Sequence, residues 1–236
     1  MAKVHDLPPP PRVPETSPPA RVEGEEEIRI TGIEGGPSLE ARVRVPDASV
    51  ERAVLLCHPH PLYGGTMHSA VVLALAKVLA EKGGPRVAHL RFNYRGVGTS
   101  EGSYDEGKGE SADARAALRE LKRRAPNAKI TLCGYSFGTW VGLRAAALEG
   151  GVERVALVAP AVRIFKFVKE DGLAFQGRLS IFLGDQDEFC DVSEAEALAT
   201  SLGASLKVFP GADHFFLKSR RKMAEDIVPV LAPELL

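Results

Sequence analysis

The chain reads as an α/β fold, a mostly parallel sheet with helices on both faces, and three observations predict it. Short apolar runs alternate with stretches of helical spacing from about residue 25 to the C-terminus, and strands joined through helices lie parallel in one sheet. Gly134-Tyr135-Ser136-Phe137-Gly138 stands between an apolar run ending at Cys133 and an Ala/Leu-rich stretch from Thr139 to Leu148, the order strand, sharp turn, helix. With 236 residues, 44% apolar and 26% charged, the chain can bury one full core, and no second compositional block suggests another large domain.

Residues 1–24 hold Pro8-Pro9-Pro10-Pro11, Pro14 and Pro18-Pro19 among polar residues and are expected to form an extended or disordered tail; residues 25–236 form the domain. Residues 27–31 and 39–45, separated by Gly-Gly-Pro, predict an opening antiparallel pair. Residues 52–57 are apolar enough for a buried strand. A helix is expected over 68–81, stopped near Gly83-Gly84, then a strand over 86–92, a glycine-rich loop, and a helix over 111–124 closed by Pro126. After the turn at Ser136 and its helix come a strand over 155–158, an irregular region over 162–177, a strand over 179–183, a helix over 192–202, a strand over 206–209 and a last helix over 219–228. Ligands of such sheets bind at the carboxyl ends of the strands.

Ser136 sits where the turn forces a sparsely allowed backbone, and the flanking glycines let strand and helix approach closely. The Phe137 N–H, at the helix N-terminus, points to where an oxyanion would develop. A serine nucleophile needs a base and an orienting acid, which in this arrangement follow it in the order acid, then histidine. His214 is the single histidine after Ser136, placed behind the last strand and Pro210-Gly211-Ala212. Among the acids after the preceding strand, Asp187 of Gly184-Asp185-Gln186-Asp187 has the spacing that lets the glycine turn the chain first; Asp185 and Glu188 are rivals. A second oxyanion donor is expected after residues 52–57, where Pro59 and Pro61 carry no N–H and His60 is preferred over Leu62. His58 and His60 have the spacing of zinc ligands, but no nearby third histidine completes a set, and His58 is better read as a hydrogen-bonding brace for the loop, with Tyr63 as a wall.

The segments HPHPLYGGTM (58–67), RFNYRGVGTSEG (91–102), GYSFG (134–138), GDQDE (184–188) and DHFF (213–216) resemble those of small bacterial α/β-hydrolase superfamily proteins related to dienelactone hydrolases, over roughly Glu25 to the C-terminus. The resemblance implies a lidless or minimally lidded serine hydrolase with Ser136, Asp187 and His214 as its triad and Phe137 and His60 as backbone donors. Dienelactone hydrolases proper use cysteine where this chain has Ser136, so their substrate is not carried over.

Other features point to simpler roles. A net charge of −1 argues against a nucleic-acid partner, and the basic run from Lys218 to Lys222 reads as a solvated face. No apolar run approaches the roughly 20 residues of a spanning helix, and no signal pattern opens the chain. Cys57, Cys133 and Cys190 read as buried or free thiols in a reducing cytoplasm. Residues 102–109 have P-loop spacing, but Gly109 replaces the required Ser or Thr and Asp105 and Glu106 would repel phosphate. Gly96 and Gly98 misplace a dinucleotide fingerprint and make a tight turn, with Arg95 expected in a local ion pair. Phe165, Phe167 and Phe175 either line an acyl or leaving-group pocket or pack beneath a loop. The expected protein is a cytoplasmic serine hydrolase of a small-molecule ester or thioester, needing no cofactor or metal; a peptidase or amidase, or a non-catalytic binding protein on the same fold, are the alternatives.

Overall fold

The structure, a computed structural model, describes residues 21–46, 49–167 and 175–235. The proline-rich segment of the expected tail and residues 168–174 lie outside the described residues. Val22, on the tail side of the expected domain boundary, is buried against the core.

Eight strands form one sheet: β1 Glu26–Ile30, β2 Leu39–Arg44, β3 Arg52–Cys57, β4 Val87–Phe92, β5 Lys129–Tyr135, β6 Arg154–Val158, β7 Arg178–Gly184 and β8 Ser205–Phe209. Their spatial order is β1-β2-β4-β3-β5-β6-β7-β8, with β1 and β2 antiparallel and every pairing from β4 to β8 parallel. The helices are α1 Ala70–Gly83, α2 Lys108–Arg124, α3 Phe137–Glu149, α4 Val192–Leu202 and α5 Arg220–Leu231.

Strand periodicity of two sorts the apolar side chains into two layers. Leu55, Leu132, Leu157 and Ile181 face α2 and α3, while Val54, Leu56, Cys133 and Phe182 face α1 and α5. Because both faces are covered, the central strands read as continuous apolar runs, and β3 is buried at every position. Arg52 is the charged exception: its guanidinium lies 2.6 Å from Glu234, within reach of Glu153, and 3.3 Å from Thr131 Oγ1, which ties the C-terminal turn beneath the sheet. Arg91 and His89 on β4 bury against Glu25 at 2.6 and 3.0 Å. Burial works to raise the Glu25 carboxyl, but hydrogen bonds and charge from Arg91 and His89 outweigh it and hold it down to about 2.

The second helix begins at Lys108, not near residue 111. Gly107 takes φ 86° as its cap, and the Glu110 carboxylate turns back to accept the N–H of Gly107 at 2.7 Å and of Asp105 at 2.9 Å. The segment with P-loop spacing is thus a helix start whose own carboxylate fills the place an anion would take. Arg95 pairs with Asp113 on α2 at 2.7 Å, the local ion pair expected of it. The last helix runs three residues past the expected end, through Pro229.

Candidate active site

Ser136 is the single residue between β5 and α3, with φ 53° and ψ −116°, a conformation that costs a non-glycine residue about 1–3 kcal/mol. Its surroundings hold it there. The Ser136 N–H donates to the Val158 carbonyl at 2.9 Å, and the Ser136 carbonyl accepts from Thr139 Oγ1 at 2.5 Å and from the Thr139 N–H at 2.9 Å. A Cβ on Gly134 would stand 2.2 Å from the Gly138 carbonyl oxygen, and one on Gly138 would stand 2.5 Å from that of Cys57. Both glycines are therefore required by backbone contact.

The turn after β8 brings His214 back over the end of β5. Its Nε2 lies 3.0 Å from Ser136 Oγ and its Nδ1 lies 2.8 Å from Asp187 Oδ2. A carboxylate only accepts, so Nδ1 carries the proton and Nε2 is left as the acceptor for the serine hydroxyl. The second oxygen of Asp187 accepts the Phe189 N–H at 2.8 Å, which fixes the carboxylate's plane. Asp185, two residues earlier, is exposed and accepts the Gly211 N–H at 2.7 Å, so it closes the β8 turn; Glu188 is exposed. The His214 backbone is held by the Tyr135 hydroxyl, which donates to its carbonyl at 3.1 Å. The imidazole packs edge-on to Phe189 and Phe215, with ring centres 4.7 and 5.3 Å away.

Across Ser136, the loop after β3 carries His58 and His60. His58 is fully buried; its Nδ1 donates to the Pro59 carbonyl at 2.6 Å and its Nε2 accepts the Tyr94 N–H at 3.1 Å. It braces the loop as expected, and burial pushes it down to about 3, so it is neutral. His60 Nδ1 accepts the Leu62 N–H at 3.1 Å, which directs its Nε2 proton to the Tyr104 hydroxyl 3.2 Å away; burial lowers it to about 4. Of the two N–H groups open from sequence, that of Leu62 is thus occupied. Neither the His60 nor the Phe137 backbone N–H has a hydrogen-bond partner among the described residues. No group of three or more metal-ligating side chains occurs among the described residues.

Phe165 and Phe175 are buried in the core. Phe165 stacks on Trp140 at 5.3 Å and reaches the His60 ring at 5.8 Å, while Phe167 is half-buried. The three cysteines are buried free thiols. In the basic run, exposed Arg221 pairs with Glu225 and Glu81, and exposed Lys222 with Asp226. No described helix is long and apolar enough to cross a membrane. Tyr104, Tyr135 and Phe189 were not legible as site residues: the first two act through partners 44 and 79 positions away, and only the Asp-x-Phe spacing of the third hinted at an Asx turn.

Two family descriptions match this chain, serine aminopeptidase S33 over residues 48–170 and serine hydrolase over residues 112–232. An α-β serine hydrolase homologue from Coxiella burnetii is 34% identical, with 90% of this chain and 100% of that one covered and a TM-score of 0.76. A Xanthomonas campestris protein described as an α/β serine hydrolase without a lid is 28% identical, with coverage of 93% and 98% and a TM-score of 0.76. An uncharacterized protein of Rickettsia prowazekii is 34% identical over 187 residues, 75% of each chain.

Proposed function

This chain belongs to the serine hydrolases of the α/β-hydrolase superfamily, and on that footing we propose that it cleaves an ester or thioester of a small acyl substrate through a Ser136–His214–Asp187 triad. The observation that carries the proposal is the unbroken line of hydrogen bonds, 3.0 Å from Ser136 Oγ to His214 and 2.8 Å from His214 to Asp187.

The chemistry follows from the proton positions. As Oγ attacks the substrate carbonyl, its proton passes to His214 Nε2, and the Asp187 carboxylate stabilises the resulting imidazolium. The negative charge that collects on the carbonyl oxygen is met by the unpartnered N–H groups of Phe137 and His60, each worth about 3 kcal/mol in such sites. Because these N–H groups make no hydrogen bond among the described residues, they need no rearrangement there when the charge appears. The imidazolium then gives its proton to the departing oxygen or sulfur, leaving an acyl-Ser136 ester. Water, deprotonated by the same imidazole, hydrolyses it. This chemistry draws on no cofactor, and a cytoplasmic setting agrees with the unpaired thiols.

The test is hydrolysis of p-nitrophenyl acetate, butyrate, octanoate and palmitate by the wild type and by Ser136→Ala, with a serine-directed phosphonate as a label. Turnover and labelling that both vanish in Ser136→Ala support the proposal; undiminished labelling of Ser136→Ala refutes the nucleophile. The family description serine aminopeptidase favours one second reading, amide cleavage. Matched butyryl p-nitroanilide and p-nitrophenyl substrates separate the two, since the same acyl-enzyme forms from either.

A further inference from the structure

We infer that Phe215 and Leu217 form a subsite for an apolar leaving group, so that the preferred substrates are esters of hydrophobic alcohols. This rests on the triad proposed above and extends it to one side of the scissile bond.

Singly exposed apolar side chains are ordinary, but apolar exposure gathered beside a reactive group marks a binding surface. Among the described residues four are exposed, Leu62, Leu148, Phe215 and Leu217, and three of these lie within three positions of a proposed catalytic group. Phe215 directly follows His214 and Leu217 follows it by three. Leu62 stands two positions after His60 in the loop after β3, and β5 with Ser136 lies between β3 and β8 in the sheet. Of these, Phe215 is in direct ring contact with His214, at 5.3 Å.

The display of Phe215 and Leu217 is built by their neighbour. Phe216 is fully buried, edge-on to Phe209 at 5.7 Å, and adopts φ 48°, a conformation disfavoured for a bulky residue. With Phe216 turned inward, the residues on either side turn outward. Their backbone is fixed as well: the Leu217 N–H donates to Asp213 Oδ1 at 2.9 Å, and the Phe215 carbonyl accepts from Arg220 Nε at 3.1 Å. Two exposed apolar groups on a pinned turn offer surface to a ligand at little ordering cost.

The catalytic sequence assigns the occupant. In the tetrahedral intermediate the oxyanion faces the His60 and Phe137 N–H groups, and the departing oxygen must lie within reach of His214 Nε2, which protonates it. The alcohol is thus the part of the substrate nearest His214, and Phe215 is the exposed side chain in ring contact with that imidazole, at 5.3 Å.

The test uses two ester series with the full-length protein. Methyl, butyl and hexyl butyrate vary the alcohol alone and share one acyl-enzyme, so any difference resides in acylation and is read in kcat/KM. Vinyl acetate, butyrate and hexanoate vary the acyl group alone. The wild type is expected to prefer hexyl over methyl butyrate by roughly tenfold or more. Phe215→Ala and Leu217→Ser should each reduce that ratio at least about threefold while leaving the vinyl-series ratios unchanged; because ratios are compared, a general loss of activity through the His214 contact does not enter. A flat alcohol series in the wild type, or variants that shift both series alike, overturns the subsite. Absence of any Ser136-dependent ester turnover instead overturns the esterase proposal beneath it.

Discussion

The hydroxyl of Tyr135 donates to the carbonyl of His214 at 3.1 Å, so the residue that precedes the proposed nucleophile also holds the backbone of its proposed base. Oγ and Nε2 are thereby referenced to one strand end. Tyr135→Phe removes one hydrogen bond without emptying the core, and we expect kcat to fall roughly three- to tenfold with KM little changed, an effect of misplacement by a fraction of an ångström. Steady-state kinetics on p-nitrophenyl butyrate distinguish this from lost substrate binding, which would raise KM at constant kcat.

The two aspartates of the β7 turn should differ sharply. Asp187→Asn leaves an amide facing His214 and favours the wrong imidazole tautomer, so kcat should drop on the order of 10⁴-fold. Asp185→Asn weakens the acceptor for the Gly211 N–H and the Gln186 side-chain amide, and its cost should be read in stability, about 1 kcal/mol by urea unfolding, with kcat within a few-fold of the wild type. The reverse pattern would move the orienting role to Asp185.

Backbone strain at the proposed nucleophile predicts a trade between stability and activity. Glycine takes φ 53° without penalty, so Ser136→Gly should unfold at higher denaturant concentration, by about 1 kcal/mol or more, while losing all Ser136-dependent turnover. Gly138→Ala should do the opposite and cost several kcal/mol or prevent folding, because its Cβ would meet the Cys57 carbonyl oxygen, which is backbone and has nowhere to go.

Acid sensitivity should begin with the buried histidines. His58 is pushed from its ordinary 6.5 down to about 3 by burial, and His60 to about 4. The unfolded chain binds these protons first, so the stability is whole above pH 6.5 and is lost as pH falls from there towards the folded values. Between pH 7 and pH 5 the loss from His58 alone is about 2 kcal/mol. Glu25, held down to about 2 from 4.5, adds its loss only below about pH 4.5. Urea midpoints for the wild type and His58→Asn should show a shallower decline in the variant between pH 7 and pH 5, even if it starts lower.

What the sequence determined by itself is what local physics writes locally. Period-two and helical patterns mark the strands and helices, because burial on one face selects those spacings. Gly134 and Gly138 mark the elbow, because the contacts that exclude a Cβ are made across one turn and to the adjacent strand. The order of serine, acid and histidine bounded the site to a few residues. Tertiary structure decided the rest, since each remaining choice depends on groups far apart in the chain. Asp185 and Asp187 share a turn and a charge; only the Gly211 N–H beside one and the Phe189 N–H and His214 beside the other separate them. The His60 imidazole takes the Leu62 N–H and directs its remaining proton to Tyr104, 44 positions on. Phe165 is stacked on Trp140, 25 positions earlier, and the start of α2 moved because Glu110 folds back on Gly107. Hydrophobic periodicity carries no term for such partners. They are set by how the sheet orders its strands and brings the loops after β3, β4, β5, β7 and β8 to one edge.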